Sequence, residues 1–183
     1  MRPYGLTLTP PTGPIVAGAD FSYTLTAVNA SGGTTKNYIP GNLQGKIVRT
    51  APTGGSTADS SFKFVDSSGP AANSAVSASA TYSDIDTSAS GMQFSNGAFA
   101  ATQASFGEVG DLQVYFRDNN YKGLTNIPEV NASFGRFRPN SFKIEGVDGT
   151  FADGNVGGFT YVGLPFVYAT QPKVTITALQ ADN

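Results

Sequence analysis

Apolar and polar residues alternate with a period of two in short runs along the whole chain. Phe21, Tyr23, Leu25 and Ala27 alternate with Ser22, Thr24 and Thr26; Phe62 and Phe64 flank Lys63; Val76, Ala78, Ala80 and Tyr82 alternate with Ser77, Ser79 and Thr81. Downstream, Leu112, Val114 and Phe116 alternate with Gln113, Tyr115 and Arg117, Phe142 and Ile144 with Lys143 and Glu145, and Val174 and Ile176 with Thr175 and Thr177. Successive side chains of a strand point to opposite faces, so each run offers one face to a core and the other to water. Turn-forming clusters separate the runs: Pro10-Pro11-Thr12-Gly13-Pro14, Ser31-Gly32-Gly33, Ala51 to Ser56, Ser67-Ser68-Gly69-Pro70, Asp118-Asn119-Asn120 and Asp153-Gly154-Asn155. About ten to twelve short strands at this spacing predict an all-β fold, an antiparallel β-sandwich of Ig-like or related kind. Only the Ala-rich stretch Pro70 to Ser79 offers a helical alternative, and its Ser and Val alternation favours a strand.

The runs also repeat. Arg2-Pro3 followed by Leu6-Thr7-Leu8 matches Arg138-Pro139 followed by Phe142-Lys143-Ile144, and Phe21-Ser22-Tyr23 matches Phe159-Thr160-Tyr161. The closest match aligns Thr24-Leu25-Thr26-Ala27-Val28-Asn29-Ala30 with Thr175-Ile176-Thr177-Ala178-Leu179-Gln180-Ala181, with Val162 to Val174 as an insertion in the second copy. Thr-rich strands resemble one another readily, but three blocks in the same order point to a repeat. The organisation predicted is a β-sandwich unit over residues 1–137 and the start of a second, truncated β repeat over 138–183. The strands of that second unit then either pack on the first or leave edges open to strand-mediated self-association.

Composition narrows the chemistry. The chain has 22 Gly, 11 Pro, 17 Ser and 19 Thr among 183 residues, which argues against a helical bundle. It has no His, Cys or Trp, so imidazole or thiol catalysis and zinc sites of His and Cys are excluded. The net charge of −2 and the scattered Lys and Arg give no footprint for nucleic acid, and no apolar run is long enough to span a bilayer. Low charge with abundant Thr, Ser, Gly and Asn leans towards an exported β protein.

Three stretches carry a resemblance: Gly107-Glu108-Val109-Gly110; Arg117-Asp118-Asn119-Asn120-Tyr121-Lys122-Gly123; and Gly135-Arg136-Phe137-Arg138-Pro139-Asn140-Ser141-Phe142. With Phe159-Thr160-Tyr161-Val162-Gly163-Leu164-Pro165-Phe166 and Thr35-Lys36-Asn37-Tyr38, they resemble the repeated β region of the MshQ-like family. That family serves biogenesis of the mannose-sensitive haemagglutinin (MSHA) type IV pilus. Arg138 departs from its pattern, which tends to have an aromatic residue there. The resemblance implies an exported bacterial surface protein, located extracellularly or on the outer cell surface, with stacked β domains and no established enzymatic activity. Its implied partners are other pilus or cell-surface protein domains.

Candidate sites are few. Asp84 and Asp86 stand two apart, as a glycosidase or a metal site would use them, although two carboxylates in a Ser-rich stretch equally fit a solvated turn. Asp148, Asp153 and Asn155 are oxygen donors in a Gly-rich loop and the best calcium candidates, without the spacing of an EF-hand. No other cofactor is expected. Ser and Thr lack a base partner, so an enzyme is not expected. Lys36 beside Asn37 suggests an isopeptide crosslink only if a buried carboxylate accompanies them. Tyr38, Tyr115, Tyr121 and Tyr168 fall in turns or on the polar phase of strands and are the predicted contact surface. The function expected is a non-enzymatic structural or interaction module in adhesion or pilus biogenesis; the alternative is a carbohydrate-binding adhesin domain using exposed Tyr and loop Asn or Asp on glycans.

Overall fold

The computed structural model describes residues 3–52, 61–64, 75–77, 81–87, 91–123, 127–151 and 168–181. The chain divides into two compact units, Met1–Asn140 with Gln180–Asn183, and Ser141–Leu179. The division falls after Asn140 rather than after Phe137, because Arg138 still pairs with Val16 inside the first unit. Residues 180 and 181 also belong to the first unit, where the Ala181 amide donates to the Ala17 carbonyl at 2.8 Å.

The first unit is an antiparallel β-sandwich. In chain order its strands are β1 (Gly5–Thr9), β2 (Ile15–Val16), β3 (Phe21–Val28), β4 (Leu43–Ala51), β5 (Ser61–Lys63), β6 (Ala75–Ser77), β7 (Ser83–Asp84), β8 (Ala98–Phe106), β9 (Gly110–Asp118) and β10 (Ile127–Arg138). One sheet runs β1-β3-β8-β5-β6 and the other β2-β10-β9-β4-β7. Every pairing is antiparallel except the short parallel contact of β2 with β10. The Ala-rich stretch that admitted a helix contributes strand β6.

The alternation sets which side chains meet between the sheets. Along β3, Phe21, Tyr23, Leu25 and Ala27 are buried while Ser22, Thr24 and Thr26 are not. Aromatic rings share the core with buried Leu and Ile. Phe21 meets Phe62, Phe134 and Phe137 edge-on at centroid distances of 5.7, 6.0 and 5.5 Å. Tyr23 stacks on Phe116 at 6.0 Å. Edge-to-face pairs add about 0.5–1.5 kcal/mol each beyond the area they bury, so these ring contacts strengthen the packing of the two sheets beside the buried Leu and Ile. The β8–β9 hairpin closes through Gly110, whose φ of +133° disfavours a side chain and whose Cβ would stand 2.2 Å from the Ala51 carbonyl oxygen.

The second unit contains β11 (Ser141–Val147), β12 (Thr150–Phe151), β13 (Tyr168–Thr170) and β14 (Lys173–Leu179), paired antiparallel as β11–β14 and β12–β13. Its β11–β14 register reproduces that of β1–β3 in the first unit, rung for rung. Leu6 faces Ala27, Thr7 faces Thr26, Leu8 faces Leu25 and Thr9 faces Thr24. Phe142 faces Ala178, Lys143 faces Thr177, Ile144 faces Ile176 and Glu145 faces Thr175. These are the residues the sequence repeat makes equivalent. The Phe159 to Tyr161 block of the repeat lies outside the described residues.

Candidate functional site

Two of the tyrosines expected on a contact surface are in the core. Tyr38 is 1% exposed and Tyr121 5% exposed; their rings stack at 5.5 Å. They lie inside because a buried carboxylate gathers this corner. Asp118 is fully buried at the end of β9, and its Oδ2 accepts from the Tyr38 hydroxyl at 2.9 Å and the Gly41 amide at 3.0 Å. Its Oδ1 accepts from the amides of Asn42 at 2.9 Å and Asn120 at 3.2 Å. A buried charge is tolerable only when it is hydrogen-bonded in this way. Burial, followed by the Asp118 charge and its hydrogen bond, pushes the Tyr38 hydroxyl far above its ordinary pKa. Burial does the same to Tyr23, whose hydroxyl donates to the Phe64 carbonyl at 2.9 Å. The Asp-Asn-Asn string is thus a turn built around a structural carboxylate, and Asp118 is the residue that a turn reading overlooks. The available signal was phase: Leu112, Val114 and Phe116 face inward, and Asp118 is the next inward position.

Tyr115 lies on the outer face of the second sheet, within a layer of charge on aromatic rings. The Lys46 Nζ sits 4.2 Å from the centroid of Tyr115 and 4.7 Å from that of Tyr82. The Arg117 guanidinium lies 3.8 Å from the Tyr82 centroid and donates to Gln44 Oε1 at 2.8 Å. Gln44 in turn donates to Asp84 at 2.7 Å, the Tyr82 hydroxyl donates to Glu129, and Gln113 donates to Asn131 at 2.6 Å. The register explains the cluster, since Lys46 is paired with Tyr115, Gln44 with Arg117, Tyr115 with Asn131 and Gln44 with Asp84. Both rings therefore already carry intramolecular cations on a face. The alternation ending at Tyr82 had placed that ring on an apolar phase; it belongs to this outer layer instead.

The remaining candidates stay apart. Asp84 is exposed and bonded by Gln44, whereas Asp86 closes a loop through its backbone carbonyl, which accepts from the Met92 amide at 2.8 Å. Among the calcium candidates, Asp148 is exposed in the turn after β11, and Asp153 and Asn155 lie outside the described residues. Among the described residues no three carboxylates gather as a metal site would need. Lys36 and Asn37 are both exposed, so they lack the buried setting an isopeptide requires. An open hollow beside β2 is lined by Pro11, Pro14, Ile15, Val16, Asp20 and Phe21, with Asp20 its only ionisable side chain. No helix of the described residues is long and apolar enough to cross a membrane.

The β11–β14 ladder of the second unit has the opposite character. Phe142, Ile144, Val174 and Ile176 share one face and are 63%, 69%, 66% and 64% exposed. Their opposite face carries Lys143 and Glu145, ion-paired at 2.9 Å, between threonines. Tyr168, the fourth predicted contact tyrosine, is 40% exposed in β13 and stacks on Phe151 at 5.1 Å.

Residues 108–183 match the family model described as DUF6701, third domain, a description that names no activity. The match begins in the β8–β9 turn and takes in the Gly135 to Phe142 string and the whole β11–β14 ladder. Gly135, Phe137 and Arg138 of that string pack within the first unit. A Cβ on Gly135 would lie 2.8 Å from the Gly13 carbonyl oxygen, Phe137 packs on Phe106 at 5.1 Å, and the Arg138 carbonyl accepts from Ala17 at 2.8 Å. No curated protein and no solved structure matches the chain.

Proposed function

We propose that this chain is a non-enzymatic structural and interaction module, built of serial β units, from an exported bacterial cell-surface protein of the MshQ-like, pilus-associated kind. The observation that carries the serial-unit reading is the recurrence of the β1–β3 register in β11–β14. A spacer needs rigid units, and the packed core of the first unit supplies one. The pilus assignment rests on the Gly135 to Phe142 string and the Asn-rich turn before it, which resemble that family. Co-sedimentation of the purified chain with sheared type IV pili, against flagella as a control, tests the assignment. Saturable co-sedimentation is expected, and retention equal to the flagellar control would remove the pilus from the reading.

Glycan binding is the second reading, now resting on the outer face, where Tyr82 and Tyr115 lie among Asn131, Gln113 and Asp84. A glycan array run with the parent and with Tyr115→Ala separates the two. Saturable binding lost in the variant would favour the adhesin.

A further inference from the structure

The strand pairs β1–β3 and β11–β14 are equivalent in sequence and register but opposite in burial. In the first unit Leu6 and Leu8 are 8% exposed and Leu25 is fully buried; their counterparts Phe142, Ile144 and Ile176 are 63%, 69% and 64% exposed. The first unit shows what makes the difference. Strand β8 adds to the outer edge of β3, with Phe99 opposite Leu25 on the same face, and Phe134 of the opposing sheet closes over Tyr23. Among the described residues of the second unit, nothing adds to the outer edge of β14 and nothing covers the apolar face beside it. A two-stranded ribbon is marginal in water alone, and an open edge beside an apolar face is a template for another strand.

We propose that β14 and the face of Phe142, Ile144, Val174 and Ile176 form an acceptor for a β strand of the same repeat type. This strand joins β14 antiparallel as β8 joins β3 and brings a large apolar side chain opposite Ile176. The proposal rests on the serial-unit reading and names its partner as an extended segment like Ala98-Phe99-Ala100-Ala101-Thr102-Gln103-Ala104-Ser105-Phe106, whose Phe99, Ala101, Ala104 and Phe106 are the inward side chains in β8. A second copy of the β11–β14 pair fits less well. Four large side chains per partner fall well short of the roughly 800 Å² per side of a stable interface, and stacking two such faces leaves both β14 edges open.

The probe is a synthetic peptide of residues 95–106, titrated into the full 183-residue chain while amide hydrogen exchange is followed by NMR. At least tenfold added protection in β14 is expected, with β1 and β3 unchanged. A scrambled peptide gives none, Ile176→Asp abolishes the effect, and Glu145→Gln on the polar face preserves it. If the ribbon is unfolded alone, β11–β14 cross-strand contacts appear on adding peptide, which supports the proposal equally. Unchanged β14 exchange at 1 mM peptide, or a concentration-dependent dimer that protects β14 without peptide, overturns it. Protection without pilus co-sedimentation would leave the acceptor standing and remove only the pilus assignment.

Discussion

Replacing Asp118 by Asn keeps the shape of the side chain and removes one acceptor, which makes it a sharp test of the buried corner. Each carboxylate oxygen takes two donors, the Tyr38 hydroxyl and Gly41 amide on Oδ2 and the Asn42 and Asn120 amides on Oδ1. A carboxamide has one oxygen. Whichever way it turns, its NH2 group faces either two backbone amides or the Gly41 amide with the Tyr38 hydroxyl; the hydroxyl can rotate to accept, but an amide cannot. At least one part-buried N–H is left without its acceptor, at about 1 kcal/mol or somewhat more, and the surviving bonds lose their charge assistance. Relief from burying a charge works in the other direction. It is small here because four donors already stand in for water around the carboxylate. The net expectation is a loss on the order of 3 kcal/mol, or a melting temperature lower by roughly 10 °C for a unit of this size. Urea and thermal unfolding followed by near-ultraviolet circular dichroism measure it, with Asp111→Asn as the control. Asp111 faces the exposed Arg136 at 3.7 Å, so its loss should stay within about 0.5 kcal/mol. A loss below about 1 kcal/mol for Asp118→Asn would refute the argument that this carboxylate organises the corner.

Other outcomes follow from the same structure. Tyr23 and Tyr38 stay protonated in the fold above the pH at which an unfolded tyrosine ionises. The unfolded chain then binds fewer protons than the native one, so their contribution is complete below about pH 10 and declines above it, by up to about 1.4 kcal/mol per pH unit for each. Urea midpoints from pH 9 to 11.5 should fall in the parent and fall less steeply in the Tyr23→Phe, Tyr38→Phe double variant. In Gly41→Ala the new methyl would stand 2.0 Å from the Asn120 carbonyl oxygen, so a loss on the order of 3 kcal/mol is expected in equilibrium unfolding. Arg49 has a side chain 9% exposed whose Nε and Nη2 have no hydrogen-bond partner among the described residues, with Glu108 at 3.9 Å, too far for one. Arg49→Met should therefore be neutral or raise the melting temperature by a few degrees, and a drop of more than about 5 °C would show that the guanidinium is better solvated than its contacts indicate.

How much of this was legible in the sequence divides along a physical line. Strand identity and the inward phase of β3 and β9 were legible, because alternation is local and both faces of each strand are declared in consecutive residues. The position of the tyrosines was not. Tyr38 and Tyr121 follow turn-forming residues, and what draws them inward is Asp118, distant in sequence from Tyr38 and declared only by its phase at the end of β9. Tyr82 erred the other way. It continued an apolar phase, yet β7 is a two-residue edge strand beside β4, and its neighbour's ring is held outside by Lys46 and Arg117. Phase assigns a side chain to a face; it does not say whether another layer covers that face.

The two strand pairs put that distinction most plainly. Their registers agree because register is fixed by a local match of alternating residues, in which a slip of one residue would turn every apolar side chain to the other face. Their burial differs because burial is conferred by neighbours, β8 and β10 in the first unit, which the sequence of the pair does not contain. An apolar phase at Phe142, Ile144 and Ile176 contributes to stability only where a cover arrives, since an uncovered strand loses nothing with polar residues there. An apolar phase retained on an open face is therefore itself an argument that β14 receives a strand. Polar substitution of that face should weaken strand binding while leaving the melting of the first unit unchanged.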